Sequence, residues 1–532
     1  MIAMNVLNGI QPAKQLAFLL SQALFLGFSL VQAFAATLVV TNNNDSGPGS
    51  LRQALLDNET AGGGSTVTFS NVTGTIDLTS GELGITNNLT LLGPGESVLA
   101  VSGSGSSRVF RVQAGTVSIS DLTIENGAVT GTTGIPGISG GNGGIGGGAR
   151  GAGVFIRSTA TLSMTRCIIS SNSIYGGMGG LTDTGIAGPG GAGLGGGVGN
   201  AGTLNMTGCT LAYNTANGGE GGFVTSPTTG TAGNGGLGGG GGLYNAGTGT
   251  LSGCTFSFNS AAAGPPGAGP SGPGSQGSGT GGGINNDSML TLANCTIVDN
   301  VANMTSLDRG GGVSQSSGSI TLRNCTITGN ASATGGGTDN AGGTMDIGGT
   351  ILSGNAASVY APDANGSLNS SDFNLIKDST GTTLSGSTTN CIFGVGAQLS
   401  PLRDNGGPTP TRQPLSGSRV IDQGYSFGQT TDQRGAPRPF ILSSLPVPPG
   451  GDGSDIGAVE LGNPRLSITL ANTNVLLSWP AYYGSFAAQY NTQLTDANAW
   501  SSVPGGLSPS GTQYVVTNAL GVTNTFFRLI GN

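Results

Sequence analysis

Six short phrases decide the fold of this chain: CIISSN at 167–172, CTLAYN at 209–214, CTFSFN at 254–259, CTIVDN at 295–300, CTITGN at 325–330 and TILSGN at 350–355. Each is a small residue, four intervening residues and an asparagine. Most are preceded by a glycine cluster ending in an apolar residue, as at 195–198, 240–243, 281–284 and 310–313. A unit recurring every few tens of residues marks a solenoid, because one unit cannot bury its own apolar face without stacked neighbours. Within a unit, Leu162 and Met164 alternate with Thr161, Ser163 and Thr165, the period of a half-buried strand.

Stacked coils of a parallel β-helix repeat every ~4.8 Å, so each interior position must tolerate its own kind above and below. Cys167, Cys209, Cys254, Cys295 and Cys325 suit one interior column as small hydrophobes. Five thiols pointing the same way are expected to stay free rather than to pair. Asn172, Asn214, Asn259, Asn300, Asn330 and Asn355 are expected at a recurrent bend, in the left-handed region, hydrogen-bonded coil to coil.

Composition narrows the chemistry. Among 532 residues there are 104 glycines without a G-X-Y period, which excludes collagen. A hydrophobic content of 36%, placed periodically, predicts a packed core with glycine-rich loops attached. Only 8% of residues are charged and the net charge is −8, so there is no basic footprint for nucleic acid. Histidine is absent, which removes Ser–His and Cys–His nucleophiles and histidine metal ligands together. No metal or cofactor is expected: cysteines roughly 30–45 residues apart in one column do not converge on an ion.

The order of segments follows from these patterns. Residues 1–36 read as a signal peptide, with Lys14, the apolar stretch 16–31 and an Ala33-Phe34-Ala35 cleavage site. No later stretch is long and apolar enough for a membrane span. Residues 37–127 are expected to hold an N-terminal cap, with a helix over 51–56 capped by Ser50, followed by the first coils. Residues 128–367 hold the repeats, whose glycine-rich inserts at 128–150, 176–195, 217–240 and 261–281 are expected to leave one edge as large mobile loops. Residues 368–462 form a Pro/Asp/Gly-rich closing segment. Residues 463–532 read as a small β-sandwich with Trp479 and Trp500 in its core.

Three resemblances accompany this reading. The glycine cluster paired with [ILF]-x-x-Asn, most closely Phe256-Ser257-Phe258-Asn259, resembles repeats of chlamydial polymorphic outer-membrane proteins. DNGGPTPT at 404–411, VIDQG at 420–424, DQRG at 432–435 and DIGAVE at 455–460 resemble the choice-of-anchor Q domain of bacterial surface β-helices, although Arg412 stands where many members carry histidine. Its matching residues here are Asp404, Asn405, Asp422, Asp432, Arg434, Asp455 and Glu460. The last seventy or so residues are similar to immunoglobulin- or fibronectin-like tails on exported proteins of Verrucomicrobia-type bacteria. These resemblances imply an exported, surface-associated protein and no reaction.

The expectation is therefore an all-β chain, a right-handed parallel β-helix with a small C-terminal β-sandwich. It would be secreted or held at the cell surface and would act without catalysis, in adhesion, binding or structure. Its partners would be a cell-surface or extracellular polysaccharide or another surface protein. The competing reading is a polysaccharide-binding or polysaccharide-degrading enzyme of the β-helix type. Glycoside hydrolysis needs two carboxylates at a defined separation, and only Asp121/Glu125, Asp299/Asp308 and Asp339/Asp346 are near neighbours in the repeats. No catalytic residue is assigned. Arg434 is expected to pair with Asp432 or Asp455 rather than to act on a substrate.

Overall fold

The computed structural model describes residues 36–303, 306–442, 446–462, 466–480, 486–493, 499–504, 508–510, 513–519 and 525–531. Apart from Ala36, the expected signal segment lies outside the described residues. One coil shows the plan. Leu243–Asn245, Thr248–Ser252, Thr255–Ser257 and Ser260–Ala262 are short strands joined by tight corners. After a glycine-rich excursion, Gly279–Thr280 leads into the next coil at Ile284–Asn286. Each strand pairs parallel with its counterpart one coil on: Leu243 with Ile284, Leu251 with Leu292, Phe256 with Ile297 and Ala261 with Ala302. Repetition builds parallel sheets of 20, 11 and 7 strands, and the chain is a parallel β-helix. Leu, Ile, Val and Cys columns fill the interior in one continuous core.

The five repeat cysteines occupy one such column, each at most 1% exposed, and all are free thiols. Burial, reinforced by neighbouring Cys254, pushes the Cys295 thiol well above its ordinary value, so it sits there as a neutral apolar group. Cys391 lies outside the column and is half-buried.

The asparagine ladder is present. Asn214 donates both its backbone N–H (3.0 Å) and its Nδ2 (2.9 Å) to Asn259 Oδ1, and a second Nδ2 proton goes to Ile169 O. The same pattern links Asn172 through Asn355. The ladder begins at the Gly127 N–H and ends on the Asp363 carboxylate. The left-handed bend, however, falls one residue before each asparagine. An asparagine pointing inward has no αL requirement of its own; the residue ahead of it makes the corner.

At the N-terminus the capping helix Leu51–Thr60 buries Leu51, Ala54 and Leu55, with Ser50 Oγ accepting from Gln53 N–H. It runs past the predicted end at residue 56 because Asn58 ties it to the first coil. Asn58 accepts from Ser65 N–H and donates to Asn88 O.

The glycine-rich inserts are not mobile loops. Glycine recurs every third residue, and Gly131, Gly134 and Gly137 donate to the carbonyls of Tyr175, Met178 and Leu181 in the next excursion at 2.7–2.8 Å. Gly176 and Gly179 repeat this toward Asn217 and Glu220, and Gly218 and Gly221 toward Ala262 and Pro265. Sideways, Gly180 donates to Gly144 and receives from Gly188. Three residues per turn with no internal hydrogen bonds is the polyproline II helix, whose N–H groups must find neighbouring legs. A Cβ at Gly180, Gly188 or Gly222 would overlap a carbonyl of the adjoining leg, so only glycine permits the packing. In the last excursion Pro266 takes the register position of Gly179 and Gly221. Among the described residues no further leg accepts there, and proline leaves no N–H unpaired.

The first part of the segment expected to close the solenoid does so, with Leu375–Ile376, Thr382–Ser387 and Ile392–Phe393 stacked as its last parallel strands, and from about residue 397 the chain folds back along the flank. Thr255, Thr296 and Thr326 point outward from successive coils and are nevertheless buried. Gln433 bonds to Thr255 and Thr296, Thr255 donates to Pro410 O, and Ala458 N–H donates to Thr326. Ala397, Val420 and Ile456 cover outward-facing Ile351 and Leu375. The C-terminal strands form two small antiparallel sheets around Val475, Leu477, Trp479, Phe486 and Val516, with Ile421 and Leu461 packed against them. Trp479 is in that core; Trp500 is not, and is half-buried beneath Arg528 at 4.3 Å. Among the described residues no helix is long and apolar enough to cross a membrane.

Candidate binding groove

The bend column preceding the ladder runs Asn126, Ser171, Tyr213, Phe258, Asp299, Gly329 and Gly354, with φ of 52, 56, 57, 55, 54, 70 and 77°. Glycine adopts such angles without penalty, whereas a bulky L-residue there is strained by about 1–2 kcal/mol. Tyr213 and Phe258 accept that strain and present their rings to solvent, 59% and 43% exposed. Their rings stack with centroids 5.1 Å apart and planes within 9°. Phe258 therefore covers one face of Tyr213. The other face looks toward Ser171, one coil earlier, whose small side chain leaves it open.

Beside that open face lies a groove of about 760 Å³ lined by Asp77, Ser104, Asn126, Ser171, Ser173 and the half-exposed Tyr175. Ser173 Oγ bonds to Thr215 Oγ1 at 2.8 Å, continuing the polar floor onto the Tyr213 coil. Ser104 Oγ donates to the Asp77 carboxylate. Hydroxyl, amide and carboxylate groups next to an uncovered aromatic face suit a ligand with hydroxyl edges and an apolar face.

The residues singled out from the sequence lie elsewhere and are structural in their contacts. Asp404 accepts from Gly406 N–H, and Asn405 bonds to Thr411, holding a turn against the corner glycines Gly208 and Gly253. Asp432 accepts from the Arg434, Ala436 and Glu460 amides, and Arg434 pairs with it at 2.8 Å. Arg438, fully buried at its side chain, pairs with Glu460 at 2.9 Å and reaches Asn294 on the solenoid. Asp455 accepts from Asp422 and Leu461 N–H, and Asp422 accepts from Leu442 N–H. Burial, with the Glu460 charge behind it, raises Asp455 well above the carboxylate range. Burial raises Glu460 too, against the pull of Arg438.

The neighbouring repeat carboxylates are each engaged separately: Asp121 with Arg166, Asp299 with Arg412, Asp346 with Arg323, Asp308 with Gly279 N–H and Asp339 with Asn365. Among the described residues no three Cys, Asp or Glu side chains gather as a metal-ligand set.

Sequence reasoning missed two features with legible signals. The Tyr213–Phe258 pair sits immediately before two ladder asparagines, where other repeats carry Ser, Asp or Gly. A second ladder links Asn200 to Asn245 and Asn286, each at 2.7 Å, and ends on Gln315. Its signal is a polar amide two residues after the apolar residue of each glycine cluster. The fold places the chain among parallel β-helix proteins. No protein-family model matches it, and no curated protein matches it significantly.

Proposed function

We propose that this is a noncatalytic, exported β-helix protein of the cell surface or extracellular space that binds polysaccharide at the corner groove. The Tyr213–Phe258 platform carries the reading: two strained, solvent-exposed rings beside a polar groove cost stability and serve no packing role in the core. A chain of sugars lies along the groove: one pyranose stacks its apolar face on Tyr213 beside Ser171, and further units bond to Asn126, Ser104 and Asp77, two, three and four coils away at ~4.8 Å per coil. The rod holds these groups on a rigid scaffold, so little ordering is needed on binding. Export and surface attachment rest on the signal-like 1–36 and on the resemblance of 368–462 to choice-of-anchor Q domains.

The test is the purified mature protein on a panel of insoluble and soluble polysaccharides, scored for retention and for product release. Retention without release is expected, and Tyr213→Ala should weaken it about tenfold or more. Release of reducing or unsaturated sugar would overturn the noncatalytic reading. Full retention by Tyr213→Ala would overturn the groove.

A further inference from the structure

A second cleft lies on the other side of the short strand Ala128–Thr130. That strand contributes Ala128 to the corner groove, and Val129 and Thr130 to this cleft, at the root of the glycine lattice. The cleft holds about 440 Å³ between Arg108, Thr130, Thr132, Arg150, Phe155 and Leu194.

Its charge is opposite to that of the molecule. Arg108 and Arg111 share the single carboxylate of Glu82, and Arg108 also donates to the backbone carbonyls of Arg150 and Gly151. Arg150 is exposed, and its guanidinium forms no ion pair and donates no hydrogen bond among the described residues. It is nevertheless held in place. Its guanidinium lies 5.5 Å over the Tyr244 ring, and the Tyr244 hydroxyl donates to Asp287 at 2.7 Å. Gly199 separates Phe155 from Tyr244 in the same column, and the Arg150–Gly151 backbone packs where a side chain at 199 would otherwise stand. A pinned, unpaired guanidinium beside two threonines is a planar fork awaiting a carboxylate.

We propose that Arg150 and this cleft bind the carboxylate of an acidic sugar, a uronate, in a polysaccharide that also occupies the corner groove. The inference rests on the groove reading and adds the ligand's charge. Arg108 is a positioning residue, holding the Arg150 backbone. Thr130 and Thr132 supply hydroxyls to the sugar.

The experiment measures binding of the full mature chain to polygalacturonate, to dextran sulfate and to a neutral polysaccharide, for wild type, Arg150→Gln, Arg150→Lys and Tyr213→Ala. Thermal melts of every variant are recorded alongside, because Arg150 is exposed and its substitutions should leave folding unchanged. Wild type should bind polygalacturonate more tightly than the neutral polymer, with salt weakening the difference. Arg150→Gln should cost about tenfold on polygalacturonate and nothing on the neutral polymer, and Arg150→Lys should recover only part of the loss. Equal polygalacturonate binding by wild type and Arg150→Gln would overturn this inference while leaving the groove intact. Equal binding of dextran sulfate and polygalacturonate, with full rescue by lysine, would also overturn it, since a diffuse charge then suffices. Failure to bind any of the polymers would overturn both readings together.

Discussion

The ladder asparagines show how one side chain answers several demands at once. Each carries a carbonyl that accepts two donors from the preceding coil and an amide that donates both protons, so a buried polar column ends with every group paired. Leucine is nearly isosteric and more apolar, yet it fails there. Asn259→Leu would leave the Asn214 N–H without its acceptor and take one partner each from Asn214 Nδ2, the Leu211 carbonyl and Asn300 Oδ1. The expected cost is roughly 2–5 kcal/mol, since unpaired buried groups cost more than a hydrogen bond contributes. Urea unfolding of the full chain measures it, with the exposed Thr250→Ala as the neutral comparison. A midpoint unchanged from wild type would mean that the ladder is not a source of stability.

At the scale of an element, the glycine excursions invert the usual inference from composition. Glycine-rich segments are entropically expensive to order, but a three-residue period places glycine wherever two legs touch. Their backbone groups then satisfy one another across legs as strands do across a sheet. Gly222→Ala should break this locally, because its Cβ would overlap the Gly180 carbonyl. Hydrogen exchange at Gly222, Gly233 and Gly236 is expected to accelerate at least tenfold, while core amides such as Phe256 keep their protection. The substitution Glu220→Ala, at the solvent-facing third position of the same leg, should leave both sets unchanged. Uniformly fast exchange across 218–238 in wild type would contradict the ordered lattice.

In the whole molecule, the segment 397–462 acts as a brace along the solenoid. Its link is the buried Arg438–Glu460 pair with Asn294 beyond it. Breaking a buried ion pair by removing one partner costs about 3–5 kcal/mol. Arg438→Met should therefore release the brace, seen as new proteolytic cleavage between 400 and 460 with the solenoid still folded. The pH dependence has a definite sign. Burial holds Asp455 and Glu460 above the ordinary carboxylate range, so the native brace binds more protons than the unfolded chain above about pH 4. That stability is present at acid pH and declines as pH rises through the native values. Protection of the brace should thus increase on going from pH 7 to pH 5, and a decrease would place the two groups in the ionised form.

The repeated phrase was enough, by itself, to specify the parallel β-helix, the interior cysteine column and the asparagine ladder. Stacking makes each of these a property of one residue type recurring at one position. The capping helix was legible from Ser50 and the apolar spacing behind it. The lattice and the brace depended on what lies one coil away in space: Gly180 against Gly144 and Gly188, Thr296 against Gln433. The proposed groove is of the same kind. Asp77, Asn126, Ser171 and Tyr213 are scattered over more than a hundred residues of sequence, and only the in-register stacking of coils brings them to one corner. Period and residue type are local and can be read along a chain. Which outward side chains share a surface is settled by the number of residues in each coil and by where the chain folds back.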